Sequence, residues 1–587
     1  MVSAVSTWKP DVDGIDSSAS LSGASAAMQS VGAVLTWLVL IQLTIVVGWV
    51  SGHSMVGIAV WIALVVVGLA LLSLKGLAGL KVLGCSVLVV TACGLLALLS
   101  HDFSSDGQTY HQEAIAGIAS GWNPLREGEY PGAYSLWISH YSAGPWLLSA
   151  SIYKSTGNIE VGKGLTYVLM AGVGVTAYAL AKACACQSRW VRLSFALLMA
   201  FNPICCCQIQ TYFIDGQVGS LFTLVTLLAA LACLQPRRST LLALAAACVL
   251  TINAKLSSLP MLVILLLCVA AGLWLMGRRK EVRVLFAPCA AGTLLGLCIG
   301  FHPYGSNWID HGHPFYPLAG QGKVNILTGH VSPEFQARNR FEKLAMSIGS
   351  ASEYRHVDEV GGDARQFRWK VPFAVFPSEI RAFYKSTGMC VGGFGPWTSG
   401  ALLVVALGWI VLLARGWRPD PAQRLLLVLA GGLSVSVLAM PECWWARYAP
   451  QGWTTLVLLI CVPLMQKRPP RARLLDAALL VALCDVVLVL VPALANRFVS
   501  EMDWNAQAAS LVSISRDAPL QVLLTARSTR IRLQDAGVRY VEPSVLHCDG
   551  TTDLLIGTSA TVCIPQDKTR LYLRGSPWIA HALGRSL

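Results

Sequence analysis

Between His101 and His111 the chain gathers two carboxylates, a phenol and an imidazole: Asp102, Asp106, Tyr110 and His111. If the residues after Asp106 are helical, Asp106 and Tyr110 stand one turn apart on a common face, with His111 beside them and Asp102 at the edge of the preceding apolar run. Such a nest suits acid/base work. A positioned carboxylate can take a proton from a group that must lose one as it reacts. The plain structural use of Asp106 is a helix N-cap. Gly121-Trp122-Asn123-Pro124 carries the signals that end the helix.

Similar polar islands recur further along. Asp215, in Thr211-Tyr212-Phe213-Ile214-Asp215-Gly216, stands at the mouth of an apolar run. A carboxylate there is costly near lipid unless it is paired or used, and capping the next helix is its structural use. Lys255 interrupts two apolar runs, where it would pair with a phosphate or snorkel to the interface. Pro441-Glu442-Cys443-Trp444-Trp445-Ala446-Arg447-Tyr448 sets one guanidinium among indoles and a phenol. That receptor suits phosphate, because a guanidinium engages two oxygens at once; an interfacial aromatic belt is the alternative. His302, Asn307, His311 and His313 open a long polar segment. Three imidazoles in a Pro-interrupted stretch, with Asp310 the only carboxylate close by, make a weak metal signature, so rigid positioning of Trp308, Phe315 and Tyr316 is the expected role.

The elements that must position these residues are membrane helices. Of 587 residues 55% are hydrophobic and 13% charged, and the mean hydropathy is +0.59. Lipid is the only solvent that suits this composition. Apolar runs long enough to cross about 30 Å of hydrocarbon recur about thirteen times between Gly32 and Ala495, among them 192–204 and 474–495. The net charge of +13 sits in short connections such as Lys75/Lys81, Lys182/Arg189, Arg237/Arg238, Arg278/Arg279/Lys280 and Lys467/Arg468/Arg471/Arg473. These fall on alternate connections, all on one side, which the positive-inside rule makes cytoplasmic; nucleic acid is not an expected partner. The polar islands fall on the other side.

The expected organisation is a cytoplasmic N-terminal tail (1–31), a transmembrane module (32–495) with external loops 101–163 and 302–400, and an external α/β appendage (496–587). In the appendage, apolar strands 522–525, 538–541, 554–556 and 571–573 flank a helix at 528–535, and Cys548 could pair with Cys563. The polar, Ser-rich start argues against a cleavable signal peptide. Most of the 18 cysteines lie in apolar runs and behave as small hydrophobes.

An Asp followed by Tyr-His and an apolar helix ending in Gly-Trp-Asn-Pro resembles the first external loop of bacterial GT-C superfamily glycosyltransferases. Pro303-Tyr304, Asn307-Trp308, the Pro314-Phe315-Tyr316-Pro317 segment and Arg447-Tyr448 extend the resemblance in motif order over most of 100–455. It implies an all-α polytopic, GT-C-like membrane enzyme with external loop helices, which moves a sugar from a polyprenyl-phosphate donor to a glycan, lipid or protein acceptor in the cell envelope. Asp106 would be the base, with Asp102 the second choice. Asp215 would orient the acceptor or help to hold a divalent cation, Mg or Mn; the need for a metal is left open. Tyr110, His111, Lys255, His302, Asn307, His313, Glu442, Arg447 and Tyr448 would contact substrate, with the donor phosphate against Arg447. No Asn-x-Ser/Thr sequon occurs, which favours a bacterial inner membrane, with the N-terminus cytoplasmic and the C-terminus periplasmic. A polysaccharide polymerase or ligase and a lipid-linked sugar flippase or transporter are the rival readings. Ionisable residues at mid-span, which a transporter needs, are nearly absent.

Overall fold

A computed structural model describes residues 18–326, 331–353, 368–466 and 472–579. The first part of the expected N-terminal tail, 1–17, lies outside the described residues, as do Lys467, Arg468 and Arg471 and parts of the large loop.

The chain is a multi-pass bundle. Among the described residues nine helices are long and apolar enough to cross a membrane, and three shorter apolar helices, Arg238–Ala254, Thr398–Ala414 and Gly452–Leu464, accompany them. Nine long and three shorter apolar helices among the described residues do not confirm the expected count of about thirteen spans. One expected span, 192–204, forms Arg189–Ala200, only 12 residues, or about 18 Å of helix. Asn202 then accepts a hydrogen bond from Ile204 N and Pro203 starts a separate turn, Pro203–Cys207. The first helix begins at Ser18, ahead of residue 32, and its apolar stretch long enough to span is Ala26–Ser51.

Asp215–Leu234 runs through the middle of the bundle and is almost wholly buried. Small residues let its neighbours approach, and Thr223 and Thr226 turn their hydroxyls onto carbonyls one turn back, so that no donor is left bare in an apolar surround. The outer helices Val56–Lys75 and Leu77–Ala97 expose Trp61, Leu69 and Leu88, a surface that belongs in lipid. Helix Arg238–Ala254 gives the bundle its polarity. Its first residue and Arg237 line a cavity of about 690 Å³ with Lys75 and Lys182, whereas its last turn leads into Lys255 in a second cleft with Asp106, Asp215 and Arg447. Basic connections and polar islands thus occupy opposite ends.

The last helix, Arg473–Ile514, has 42 residues and runs far beyond the expected boundary at 496. Its final turns carry Trp504, Ala508, Leu511 and Ile514, which are packed into the core of the appendage. That apolar face keeps the helix going after the lipid-facing stretch ends. The sheet comprises β1 (Leu520–Leu523), β2 (Tyr540–Val541), β3 (Thr551–Leu554) and β4 (Thr561–Ile564), in the order β2-β1-β4-β3. The expected helix is present as Arg527–Asp535. The strand expected at 571–573 is absent, and its place in the sheet is taken by Thr561–Ile564, short but fully apolar on its buried face. Cys548 and Cys563 are disulfide-bonded.

Candidate active site

The first external loop enters the cleft through one turn of π-helix, Gly107–His111, continued by Gln112–Ala119. Wide turns of this kind aim side chains that an α-helix would stack. Asp106 precedes this turn but makes no capping bond. Its carboxylate instead accepts from Tyr110 Oη at 3.3 Å and from the Arg447 guanidinium at 3.4 Å, and 31% of the side chain stays exposed. Close packing beneath sets the path of the turn. A Cβ on Gly107 would lie 1.9 Å from Asp102 Oδ2, so only glycine fits.

Asp215 is the hub. Only 1% of its side chain is exposed, yet it accepts from Lys255 Nζ at 2.5 Å, Arg447 Nε at 2.9 Å and Gln208 Nε2 at 2.9 Å. Gln208 is held in turn by Gly216 N, which donates to its Oε1 at 2.8 Å. The Lys255 ammonium lies 4.3 Å from the centre of the Tyr448 ring. Burial lowers the pKa of Lys255 and the Asp215 carboxylate opposes that shift. Lys255 therefore points into the protein and does not snorkel. The Arg447 guanidinium packs among Phe213, Trp445 and Tyr448 at 5.0–5.6 Å. Two carboxylates and two cations from four separate segments meet here. The guanidinium, not an oxygen-lined gap, stands between Asp106 and Asp215, which leaves no evident seat for Mg or Mn between the carboxylates.

The cleft encloses about 330 Å³ and is lined by Asp106, Tyr110, His111, Asp215, Lys255, Arg447 and Tyr448, with aromatic walls from Trp137, Tyr141, Trp146 and Phe213. His111 Nδ1 accepts from Trp146 Nε1 at 2.8 Å, while its buried Nε2 has no hydrogen-bond partner among the described residues. Burial drives the His111 pKa down to about 3, so the imidazole is neutral. Burial likewise pushes the Tyr110 phenol well above its ordinary value.

Five of the expected site residues lie outside the cleft lining. Asp102, the second choice as base, has no exposed surface. Its Oδ1 accepts from Ser104 N at 2.8 Å and Ser104 Oγ at 2.5 Å, and its Oδ2 accepts from Tyr212 N at 2.7 Å. Burial raises its pKa, with Glu160 adding to the effect against Lys163 and Ser104. This carboxylate ties the loop to the Tyr212 turn and has no access to an acceptor hydroxyl. Asn307 bridges His140 and Tyr316, and His302 is buried with its Nδ1 2.9 Å from Ser306 Oγ. His313 Nδ1 accepts from Phe315 N at 3.1 Å. Glu442 accepts from Trp444 Nε1 and lies 3.7 Å from Lys343. His302 and His313 bond within their own segment, whereas Asn307 and Glu442 tie theirs to other loops.

Three kinds of partner escaped sequence reasoning. Trp137, Tyr141 and Trp146 come from a part of the first loop with no motif to mark it. The clamping of two cations by Asp215 joins residues far apart in sequence. Arg532 of the appendage donates to Asp102 O at 2.8 Å, and Ser528 Oγ donates to Gln108 O at 3.0 Å, so the appendage braces the loop that carries Asp106.

No protein-family model matches the chain, and no curated protein matches it. Among solved structures it is similar to the crystal structure of ArnT from Cupriavidus metallidurans bound to undecaprenyl phosphate, with 13% identity and a TM-score of 0.44, over 78% of this chain and 86% of that one. It is likewise similar to the apo crystal structure of the same protein, with 14% identity and a TM-score of 0.42, over 78% and 85%. The reading of the cleft rests on the residues in it.

Proposed function

We propose that this chain is a membrane glycosyltransferase that takes a sugar from a polyprenyl-phosphate donor at the cleft and passes it to a hydroxyl of an envelope glycan, lipid or protein. One observation carries the reading: Asp106, Asp215, Lys255 and Arg447 converge at the end of the bundle opposite the basic connections. By the charge rule that end faces away from the cytoplasm of a bacterial inner membrane.

Each group has a distinct task. Arg447 and Lys255 hold the donor phosphate, and Asp215 keeps both aimed; its oxygens are fully engaged, so it is a positioning residue and not a base. The aromatic walls take the sugar ring. Asp106, partly exposed and only loosely paired, receives the acceptor proton. As the acceptor oxygen bonds to the anomeric carbon, the bond from that carbon to the phosphate oxygen breaks, and the charge released stays on the polyprenyl phosphate between Arg447 and Lys255.

Against the transporter rival, the one buried carboxylate well inside a spanning helix among the described residues, Asp485, accepts from Trp397 N at 2.7 Å and Thr398 Oγ1 at 2.8 Å, and so anchors the start of the neighbouring helix Thr398–Ala414. The test is transfer of labelled sugar from a panel of polyprenyl-phosphate donors by purified protein in detergent. Wild type transfers, and Asp106→Asn lowers the rate by about 10²–10⁴. Tight lipid binding without transfer from any donor would replace this reading with a flippase.

A further inference from the structure

A second cluster lies beside the cleft and takes no part in the chemistry just described. His140 ends the short helix Ser135–His140 of the first external loop, and His311 ends Phe301–His311 of the large loop. Glu129 projects from the turn before the first of these helices. One ligand atom from each of Glu129, His140 and His311 lies within 4.8 Å of the other two. Glu129 Oε1 is 3.7 Å from His140 Nε2, and the two imidazoles meet edge to face with centroids 4.7 Å apart.

The tautomer of His140 follows from its other neighbour. The Asn307 amide nitrogen donates to two carbonyls, His140 O at 3.1 Å and Tyr316 O at 2.8 Å, so only Oδ1 is left to face His140 Nδ1, at 2.8 Å. An amide oxygen can only accept. Nδ1 therefore carries the proton, and the lone pair of Nε2 points toward Glu129 and His311. A metal-binding imidazole shows this arrangement, its far nitrogen donating to a carbonyl that sets both tautomer and ring angle. His311 is held as firmly, stacked on Tyr316 with centroids 3.8 Å apart and planes 7° apart. Glu129 is exposed, and its Oε2 accepts from Ser135 Oγ at 3.3 Å, which leaves Oε1 on the side of the imidazoles.

We propose that Glu129, His140 and His311 bind one first-row divalent metal ion of the zinc type, with solvent completing a tetrahedron, and that the ion pins the first external loop to the large loop. Ligand atoms around tetrahedral zinc stand about 3.3 Å apart. The Glu129–His140 separation is close to that value, and the exposed glutamate has the freedom to close the rest. Two imidazoles and one carboxylate select zinc-like ions over magnesium, which prefers oxygen. The position matters to the cleft: Trp137 lies on the helix that His140 ends, Tyr141 follows it, and Leu318 and Val324 follow His311, and all four line the cleft.

The experiment uses full-length protein without a polyhistidine tag, stripped with EDTA and dialysed against Zn²⁺ or Mg²⁺ at micromolar concentration, with bound metal counted by mass spectrometry and melting followed in parallel. The expected result is one zinc and no magnesium per wild-type chain, with a higher melting temperature when zinc is present. His140→Ala and His311→Ala should lose the zinc. Asn307→Ala should weaken it about 10–100-fold. Glu129→Ala, an exposed change that leaves folding intact, should weaken binding and abolish the zinc-dependent rise in melting temperature. A wild-type chain that retains no zinc, or a Glu129→Ala chain that retains it with the wild-type affinity and melting response, overturns the proposal.

Discussion

Asp215→Asn separates positioning from proton transfer. The asparagine keeps the shape and the bond to Gln208 but removes the charge that Lys255 meets at 2.5 Å and Arg447 at 2.9 Å. Breaking a buried ion pair by removing one partner costs about 3–5 kcal/mol. Asp106 still faces Arg447 at 3.4 Å, and the side chains of Lys255 and Arg447 are 14% and 18% exposed, so the lower end, about 3 kcal/mol, applies here. For a chain of this size that loss lowers the melting temperature by about 2–5 °C. Asp106→Asn removes only a partly exposed pair at the 3.4 Å limit, worth about 0–1 kcal/mol, so it should melt within about 1 °C of wild type while its transfer rate collapses. The double variant Asp215→Asn/Lys255→Met relieves the repulsion and should recover at least half of the lost stability, about 1.5 kcal/mol relative to Asp215→Asn alone. The assay is fluorescence melting in detergent beside sugar transfer. If Asp215→Asn melts like wild type, or Asp106→Asn is destabilised as much, the division between clamp and base is wrong.

Three further outcomes follow from the same geometry. Gly107→Ala sets a methyl 1.9 Å from Asp102 Oδ2 and should displace Asp106, cutting transfer at least tenfold while phosphate-lipid binding, measured separately, persists. Arg532→Ala leaves Asp102 O without its donor and an apolar gap against Phe103 and Trp504, and should cost about 2–4 kcal/mol by melting, with a loss of transfer although the residue is remote from the cleft. His111 stays neutral in the folded chain down to about pH 3, whereas in the unfolded chain it takes up a proton near pH 6.5. The unfolded state therefore binds more protons between those values, and stability falls as pH drops below 6.5, by at most about 1.4 kcal/mol per unit from this group. His111→Phe should flatten that slope in melting curves recorded between pH 4 and 7.

The membrane character, the alternation of basic and polar connections and the identity of Asp106, Asp215, Lys255 and Arg447 as unusual residues were all legible in the chain itself. Lipid imposes the reason: a charge next to an apolar run is expensive, so each one that persists marks a use, and a run of a given length either spans the bilayer or does not. Local signals also sufficed for the helix Arg527–Asp535 and for pairing Cys548 with Cys563. Tertiary structure alone decided what each charge does. Asp102 and Asp106 are four residues apart and chemically alike; packing of the Tyr212 turn buries one in a closed set of hydrogen bonds and leaves the other open to the cleft. Asp215 became a clamp because Lys255 and Arg447, 40 and 232 residues further along the chain, both reach it, and no local pattern encodes such a meeting. The same holds for His140 and His311. His311 stands near His302 and His313 in sequence but faces an imidazole from another loop, because the ends of two short helices, not the spacing along one strand of chain, bring their rings together.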